Sequence, residues 1–191
     1  MSTTTIALSG GCDPCHIGHI RMIEEAHGYG DVYIILNSDE WLKRKKGYVF
    51  MPWEQRAEIL RAIRWVTDVI SVDDSDNSVC QALRDTYIPH QGANNHFTWF
   101  GNGGDRKEDN VPEVDICNNL GIKLAWNLGG SKASSSSQLV TNARNAEQTL
   151  VKDYKQLLVD AANSLMETSL LIGHKPVKKY VELVDLIRSK I

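Results

Sequence analysis

The sequence predicts an α/β fold: five parallel strands, doubly wound with helices on both faces of the sheet, and then an all-helical extension. Three observations carry that expectation. Runs that are apolar at every position, such as Val32-Tyr33-Ile34-Ile35-Leu36, alternate with stretches of helical periodicity, and a continuous apolar run suits a strand covered on both faces. The connections are short, and a β-α-β-α order then requires parallel strands joined by right-handed crossovers. Polar or glycine-rich clusters follow the first, second, fourth and fifth strands. Four separate stretches thus converge on one sheet edge, the edge where such folds bind ligands.

In chain order, residues 4–9 read as the first strand and about 17–28 as a helix closing near Gly28 or Gly30. The second strand, 32–36, ends at Asn37-Ser38-Asp39, and a basic loop follows at 43–47. Pro52 suits the first position of a helix whose apolar face would carry Ile59, Leu60, Ile63 and Val66. Residues 69–72 form the third strand, and Asp76-Asn77-Ser78 suits the cap of a short helix reaching about Tyr87. A polar loop over 88–97 precedes the short strand Thr98-Trp99-Phe100, which runs into Gly101-Asn102-Gly103-Gly104-Asp105. Pro112 starts a helix that closes at Gly121, residues 122–126 are the fifth strand, and a Gly/Ser loop spans 129–137. Beyond it Leu150, Tyr154, Leu157, Leu158, Ala161 and Leu165 have helical spacing, and a second helix after Pro176 carries Val177, Tyr180, Val181, Val184 and Ile187. The expected division is a domain over 1–145 and a helical extension over 146–191, whose apolar face would pack, self-associate or cover the site as a lid.

Composition narrows the function. With 42% hydrophobic and 24% charged residues among 191, the chain is an ordinary globular protein rather than a disordered one. A net charge of −3 gives no general basic footprint for nucleic acid. No apolar run approaches the roughly 20 residues of a membrane helix. The N-terminus has neither a positive region nor a long apolar one, so a cytoplasmic location is expected. The four cysteines are then expected to be reduced.

The chemistry concentrates in Gly10-Gly11-Cys12-Asp13-Pro14-Cys15-His16-Ile17-Gly18-His19, where a strand hands over to a helix. Free backbone amides and the helix dipole make such a junction a place to hold phosphates. Two imidazoles three residues apart lie on one side of the first turn and can donate to phosphate oxygens. Gly18 lets a nucleotide approach the backbone closely. The same stretch satisfies C-x-x-C-H, which would suit haem attachment, zinc or thiol redox chemistry. Haem attachment wants an exported protein, and a zinc site wants a second close ligand pair, whereas Cys80 and Cys117 stand alone. Redox chemistry stays open as an alternative.

Residues 10–19 resemble the G-x-F-D-x-x-H-x-G-H signature of the cytidylyltransferase-like nucleotidyltransferases, with Cys12 in place of the phenylalanine and Asp13, His16, Gly18 and His19 matching. Asn37-Ser38-Asp39 with Lys43-Arg44 and Lys46-Gly47, Glu54-Gln55-Arg56, Gly103-Gly104-Asp105 and Ser135-Ser136-Ser137 extend the likeness. Together they resemble the nucleotidyltransferase domain of ADP-heptose synthase and, more loosely, glycerol-3-phosphate cytidylyltransferase. The likeness covers about residues 5–145 and implies a Rossmann-like domain.

It also implies attack of a phosphate monoester on the α-phosphate of ATP or CTP, with Mg²⁺, releasing pyrophosphate. Catalysis of that kind is positioning plus electrostatic stabilisation. By resemblance, His16, His19 and Lys46 would be catalytic. Gly10, Gly11, Cys12, Gly18, Gly103, Asp105, Ser135, Ser136 and Ser137 would bind the nucleotide, and Asp13, Asp39, Lys43 and Arg56 would shape the acceptor site or bind the acceptor. The matches lean towards adenylyl transfer to a sugar phosphate. Cytidylyl transfer to a glycerol-phosphate-like acceptor is the alternative, and a nucleotide-binding protein without turnover is the rival of another class. A homodimer is plausible by the same resemblance. Residues 88–99 are longer than the family's connection, and Gly130 stands near where the glycerol-phosphate enzymes have an arginine. Both departures put the acceptor in question.

Overall fold

The computed structural model describes residues 4–86, 96–104, 106, 111–131, 134–171, 178, 181–182 and 185–186. The element order is β1 (Thr5–Gly10), α1 (Ile17–His27), β2 (Asp31–Leu36), α2 (Asp39–Lys46), α3 (Trp53–Arg61), β3 (Val66–Ser71), α4 (Cys80–Asp85), β4 (Trp99–Gly103), α5 (Val114–Leu120), β5 (Lys123–Leu128) and α6 (Ser136–Leu171). The strands make one five-stranded sheet in the order β3-β2-β1-β4-β5, and every pairing is parallel. This is the expected doubly wound, Rossmann-like arrangement. The chain winds outward from β1 in one direction through β2 and β3, then in the other through β4 and β5. The crevice beyond the carboxyl ends of β1 and β4 is therefore the topological switch point.

The unbroken apolar runs have a direct cause. Ile6 and Leu8 of β1 pack with Ile34 and Leu36 of β2 on one face, under Ile23 and Ala26 of α1 and Ala57 and Leu60 of α3. Ala7 and Ile35, one residue out of phase, pack on the other face with Leu83 of α4, Phe100 of β4 and Cys117 of α5. Alternate side chains point to opposite faces of a strand, so burial on both faces demands apolar residues at every position. In register, Leu8 lies beside Ile34 and Gly101.

Several local expectations are corrected. The basic stretch at 43–46 is the last turn of α2, not a loop. Ser38 caps that helix, its side chain accepting from the Trp41 amide. Asp39 and Glu40 sit at the positive end of the dipole, four cations sit at the negative end, and Gly47 closes it at φ 82°. Pro52 is the residue before α3 rather than inside it, and the helix buries Arg56, Ala57 and Leu60. Ile59 is exposed, while Ile63 and Val66 lie beyond the end of α3. Val79, not 76–78, precedes α4; the Asp76 carboxylate accepts from the amide and hydroxyl of Ser78 instead. Tyr87, most of the 88–97 loop and most of the stretch after Pro176 lie outside the described residues.

The sheet and its helices belong to the compact unit Met1–Gln138, and Leu139–Ile191 is a second unit. In that second unit Leu150, Val151, Tyr154, Leu157 and Leu158 of α6 are exposed. No helix among the described residues is long and apolar enough to cross a membrane.

Leu8 is fully buried and Leu150 is exposed. Leu8→Ala should therefore lower unfolding stability by about 2–5 kcal/mol, and Leu150→Ala by less than about 0.5 kcal/mol. Urea titration of the two variants beside the parent chain checks the contrast.

Candidate active site

At the switch point His16 is the N-cap of α1. Its Nδ1 accepts from the Gly18 amide at 3.1 Å. In return, the His16 amide donates to Nδ1 of His19 at 3.2 Å. This is a reciprocal capping box built from two imidazoles. A nitrogen that accepts from an amide carries no proton, so the hydrogen-bond network assigns both rings as neutral with the proton on Nε2. The rings stack with centroids 3.9 Å apart. Burial lowers the His16 pKa. Burial, then His16, then Lys46 lower that of His19 to about 4. The junction thus presents two Nε2–H donors that stay neutral at physiological pH.

The cradle around them is held by two buried charged groups. Asp13 is fully buried, and its carboxylate accepts from the Phe50 amide at 2.9 Å and the Met51 amide at 2.7 Å. Its carbonyl accepts from Lys46 Nζ at 2.8 Å. Burial and the neighbouring Arg56 lower Lys46 from the ordinary lysine value, against the opposing influence of Asp13. Arg56 is 1% exposed and donates to the carbonyls of Met51, Gly11 and Asn37 at 3.0, 2.7 and 3.0 Å. Its remaining nitrogen pairs with Asp39 at 2.5 Å. One guanidinium thereby ties the ends of β1 and β2 to the entry of α3.

Two cavities open on this edge. The first, about 370 Å³, is lined by Gly10, Gly11, Cys12, His16, Gly18, His19, Lys46, Gly103, Ser135, Ser136 and Ser137, all singled out in the sequence. Trp41, Lys45 and Arg106 also line it and were not. Lys45 Nζ sits 4.2 Å above the Trp41 ring, an i,i+4 pair on α2. Reading 43–47 as a loop hid that pairing, although Ser38 and Gly47 mark the two ends of a helix. Two glycines let the walls close. A Cβ at Gly103 would meet the Met22 sulfur at 2.6 Å, and one at Gly129 would meet the Met22 amide at 2.8 Å. The serines are divided in role: Ser136 Oγ donates to the Pro14 carbonyl at 2.8 Å, while Ser135 Oγ accepts from the Gln138 amide at 3.3 Å and so caps α6. The second cavity, about 340 Å³, shares Ser9, Trp41, Lys45 and Arg106 with the first.

Other expectations fare differently. Asp13, Asp39, Lys43 and Arg56 line neither cavity. Both oxygens of Asp13 are taken by backbone amides, Arg56 is sealed among carbonyls, Asp39 is paired with it, and Lys43 faces solvent beside Glu40 at 3.8 Å. Asp13, Asp39 and Arg56 are thus engaged with the fold itself, and Lys43 points to solvent. Asp105 lies outside the described residues. The C-x-x-C reading loses its thiolate: burial, then the Cys15 thiol, push Cys12 up to about 12, and burial raises Cys15 too. Both shifts disfavour the thiolate on which thiol redox chemistry depends. Among the described residues no three His, Cys, Asp or Glu side chains gather as a ligand set.

Two predictions follow from these geometries. Arg56→Ala should cost about 3–5 kcal/mol of unfolding stability, because it leaves three carbonyls and the half-buried Asp39 carboxylate without their partner; chemical denaturation measures it. Long-range ¹H–¹⁵N spectra at pH 7 should show His16 and His19 as Nε2–H tautomers. His19 should stay neutral until the pH nears about 4. Its folded pKa lies below the ordinary 6.5, so the unfolded chain binds the proton more tightly. The His19 contribution to stability is then complete above about pH 6.5 and falls away as the pH drops towards 4.

Comparison with known proteins fits this geometry. The model of the family described as "Cytidylyltransferase-like" matches residues 8–123. FAD synthase of Pyrococcus abyssi is 42% identical over 67 residues, 34% of this chain and 45% of that protein. The bifunctional protein HldE of Geobacter sulfurreducens is 30% identical over 92 residues, 46% of this chain and 19% of that one. The chain thus spans less than half the length of either relative. A solved lipopolysaccharide core biosynthesis protein from Thermoplasma volcanium superposes with a TM-score of 0.52 at 19% identity, covering 68% of this chain and 99% of that one, a likeness of fold. With more than half its length matched by the family model, this chain belongs to the cytidylyltransferase-like family.

Proposed function

We propose that this chain transfers a nucleoside monophosphate from ATP or CTP to a phosphorylated small molecule and releases pyrophosphate. The observation that carries the reading is the convergence of fixed neutral donors and cations on one cavity. His16 and His19 offer Nε2–H groups, Lys45, Lys46 and Arg106 offer positive charge, and Ser135 to Ser137 bring hydroxyls and the start of a long helix.

In the reaction an oxygen of the acceptor phosphate forms a bond to the α-phosphorus. The bond from that phosphorus to the bridging oxygen breaks, and pyrophosphate leaves with the electron pair. No covalent enzyme intermediate is required. The imidazole donors would follow the charge that grows on the non-bridging α-oxygens, a term of the kind that preorganised donors supply. Lys46, held by the Asp13 carbonyl, would neutralise the triphosphate. Among the described residues no unpaired carboxylate lines the first cavity, so Mg²⁺ would arrive as the counter-ion of the triphosphate, held by its oxygens. The motif set at 37–39, 54–56 and 103–105 leans the acceptor towards a sugar phosphate and the nucleotide towards ATP. One relative carries the name FAD synthase, which keeps other phosphorylated acceptors in the test. The exposed apolar face of α6 leaves a homodimer as part of the same proposal.

Incubation with ATP or CTP, Mg²⁺ and a panel of sugar phosphates, glycerol 3-phosphate and FMN, with coupled detection of pyrophosphate, tests the reading. One combination should release pyrophosphate, and His16→Ala and His19→Ala should each lower kcat about 10²–10³-fold. The cost to stability should be only about 1 kcal/mol for the lost cap. Nucleotide binding without pyrophosphate from any combination would leave a binding module instead. Loss of activity in the Cys12→Ala, Cys15→Ala double variant with full activity in His16→Ala would refute the phosphate chemistry.

A further inference from the structure

α2 brings much of the positive charge to the site with little packing of its own. It has eight residues, of which Leu42 is buried, and its last four, Lys43 to Lys46, are all cations. A helix this short is marginal alone in water, and adjacent cations repel one another. Yet the site depends on the direction in which α2 points. Trp41 and Lys45 line both cavities, and Lys46 lines the first.

One residue beyond the end of β3 grips it. Asp74 is 2% exposed. Its Oδ2 accepts from the Asn37 side chain at 3.1 Å and from the Ser38 amide at 2.8 Å. Its Oδ1 accepts from the Ser38 hydroxyl at 2.6 Å. The same hydroxyl oxygen accepts from the Trp41 amide at 3.0 Å and so caps α2. Because Asp74 claims the hydroxyl proton, a lone pair of Ser38 is left facing the helix. At the other end of α2, Arg44 turns back. Its Nη2 donates to the Asp74 carbonyl at 2.6 Å and its Nε to Asn77 Oδ1 at 3.3 Å. The Asn77 amide donates to that same carbonyl at 2.9 Å. Asp74 therefore holds α2 at its first turn and at its last.

This grip sorts the four cations. Arg44 points back to Asp74, Lys43 lies in solvent beside Glu40, and Lys45 and Lys46 reach the cavities. Successive side chains leave a helix at a fixed angle, about 3.6 to the turn. Fixing Arg44 and the cap therefore fixes the rotation of α2 and the direction of the two lysines. Asp74 itself lines neither cavity, so its influence on a ligand runs through α2. A buried carboxylate is a poor way to gain stability alone, since a well-packed apolar residue often serves as well or better. Its several directed bonds are what holding an orientation requires.

We propose that Asp74 is a positioning residue: by fixing α2 at both ends it sets Lys45 and Lys46 on the first cavity before any anion binds. The identity of that anion rests on the nucleotidyl-transfer reading, and the test keeps the two apart. Inorganic tripolyphosphate, titrated into the full chain by calorimetry, probes the cations without a base or an acceptor. By charge alone, Asp74→Ala removes a negative group behind an anion site and should tighten binding. Positioning gives the opposite sign. With α2 in place about one-tenth of the time, affinity falls roughly tenfold, and its dependence on salt becomes shallower. Arg44→Lys keeps the charge but loses the planar fork. It should weaken the same probe about threefold, and it decides the matter should Asp74→Ala misfold. Leu8→Ala, destabilised through the core, should bind as the parent does. Unchanged or tighter binding in a folded Asp74→Ala overturns the proposal. Parent-like binding by Arg44→Lys, or an equal loss in Leu8→Ala, overturns it too. Should the parent chain not bind tripolyphosphate, the nucleotidyl-transfer reading falls. Amide hydrogen exchange then judges Asp74 alone: α2 must lose protection in Asp74→Ala or Arg44→Lys while α1 and α3 keep theirs, and an equally protected α2 sinks the proposal.

Discussion

The site hangs on one buried guanidinium. Arg56 reaches back from α3 to the carbonyls of Gly11 and Asn37, the residues that leave β1 and β2. The last carbonyls of parallel strands have no further strand to bond, and buried they would each cost on the order of 1–3 kcal/mol unpaired. Arginine, with five donors in a planar fork, can satisfy several at once and still pair with a carboxylate. Asp13 does the complementary work, taking the Phe50 and Met51 amides. An acceptor and a donor hub thus pin the β1–α1 turn, the end of α2 and the entry of α3 into one rigid corner. Rigidity is what a reaction driven by positioning and fixed dipoles requires.

Against that corner the two histidines serve folding and chemistry with different atoms. Nδ1 of each ring belongs to the helix cap, and Nε2–H of each is left for a ligand. Because the cap fixes the tautomer, the donors are set before anything binds, at no reorganisation cost. The three-residue spacing of His16 and His19 suits this reciprocity, since a capping box joins the N-cap to the third helical residue. Two protonated rings 3.9 Å apart would repel and lose both cap bonds, so the stacking itself favours the neutral form.

How much of this could be read from the chain differs by kind of signal. Strand identity and sheet parallelism were legible because two-faced burial writes itself as unbroken apolar runs. The phosphate-holding turn was legible because glycines and imidazoles are crowded into ten residues. Arg56 was not, since the same E-Q-R spacing serves a residue facing substrate or one facing inward. Only the placement of the β1 and β2 carbonyls, a long-range feature, decides between them. Glu113 was illegible for the same reason: its buried carboxylate takes the Val79 amide across 34 residues of sequence. The α2 helix, by contrast, carried its cap signals at Ser38 and Gly47 and was hidden by the cluster of lysines between them.

On the proposed reading, the location of the shared wall follows from electrostatics. A nucleoside triphosphate and a phosphate monoester are both anions, and in-line attack must bring their reacting groups into contact. Two unit negative charges about 5 Å apart repel by roughly 3 kcal/mol even at an effective dielectric of about 20. Lys45 and Arg106 line both cavities, at the boundary where that repulsion would be greatest, whereas His16, His19 and Ser135, Ser136 and Ser137 line only the first. The division separates two tasks. Groups that hold the triphosphate need only the fixed corner at β1. Groups that meet the acceptor can then lie on the far wall without disturbing the donors that meet the reacting phosphorus.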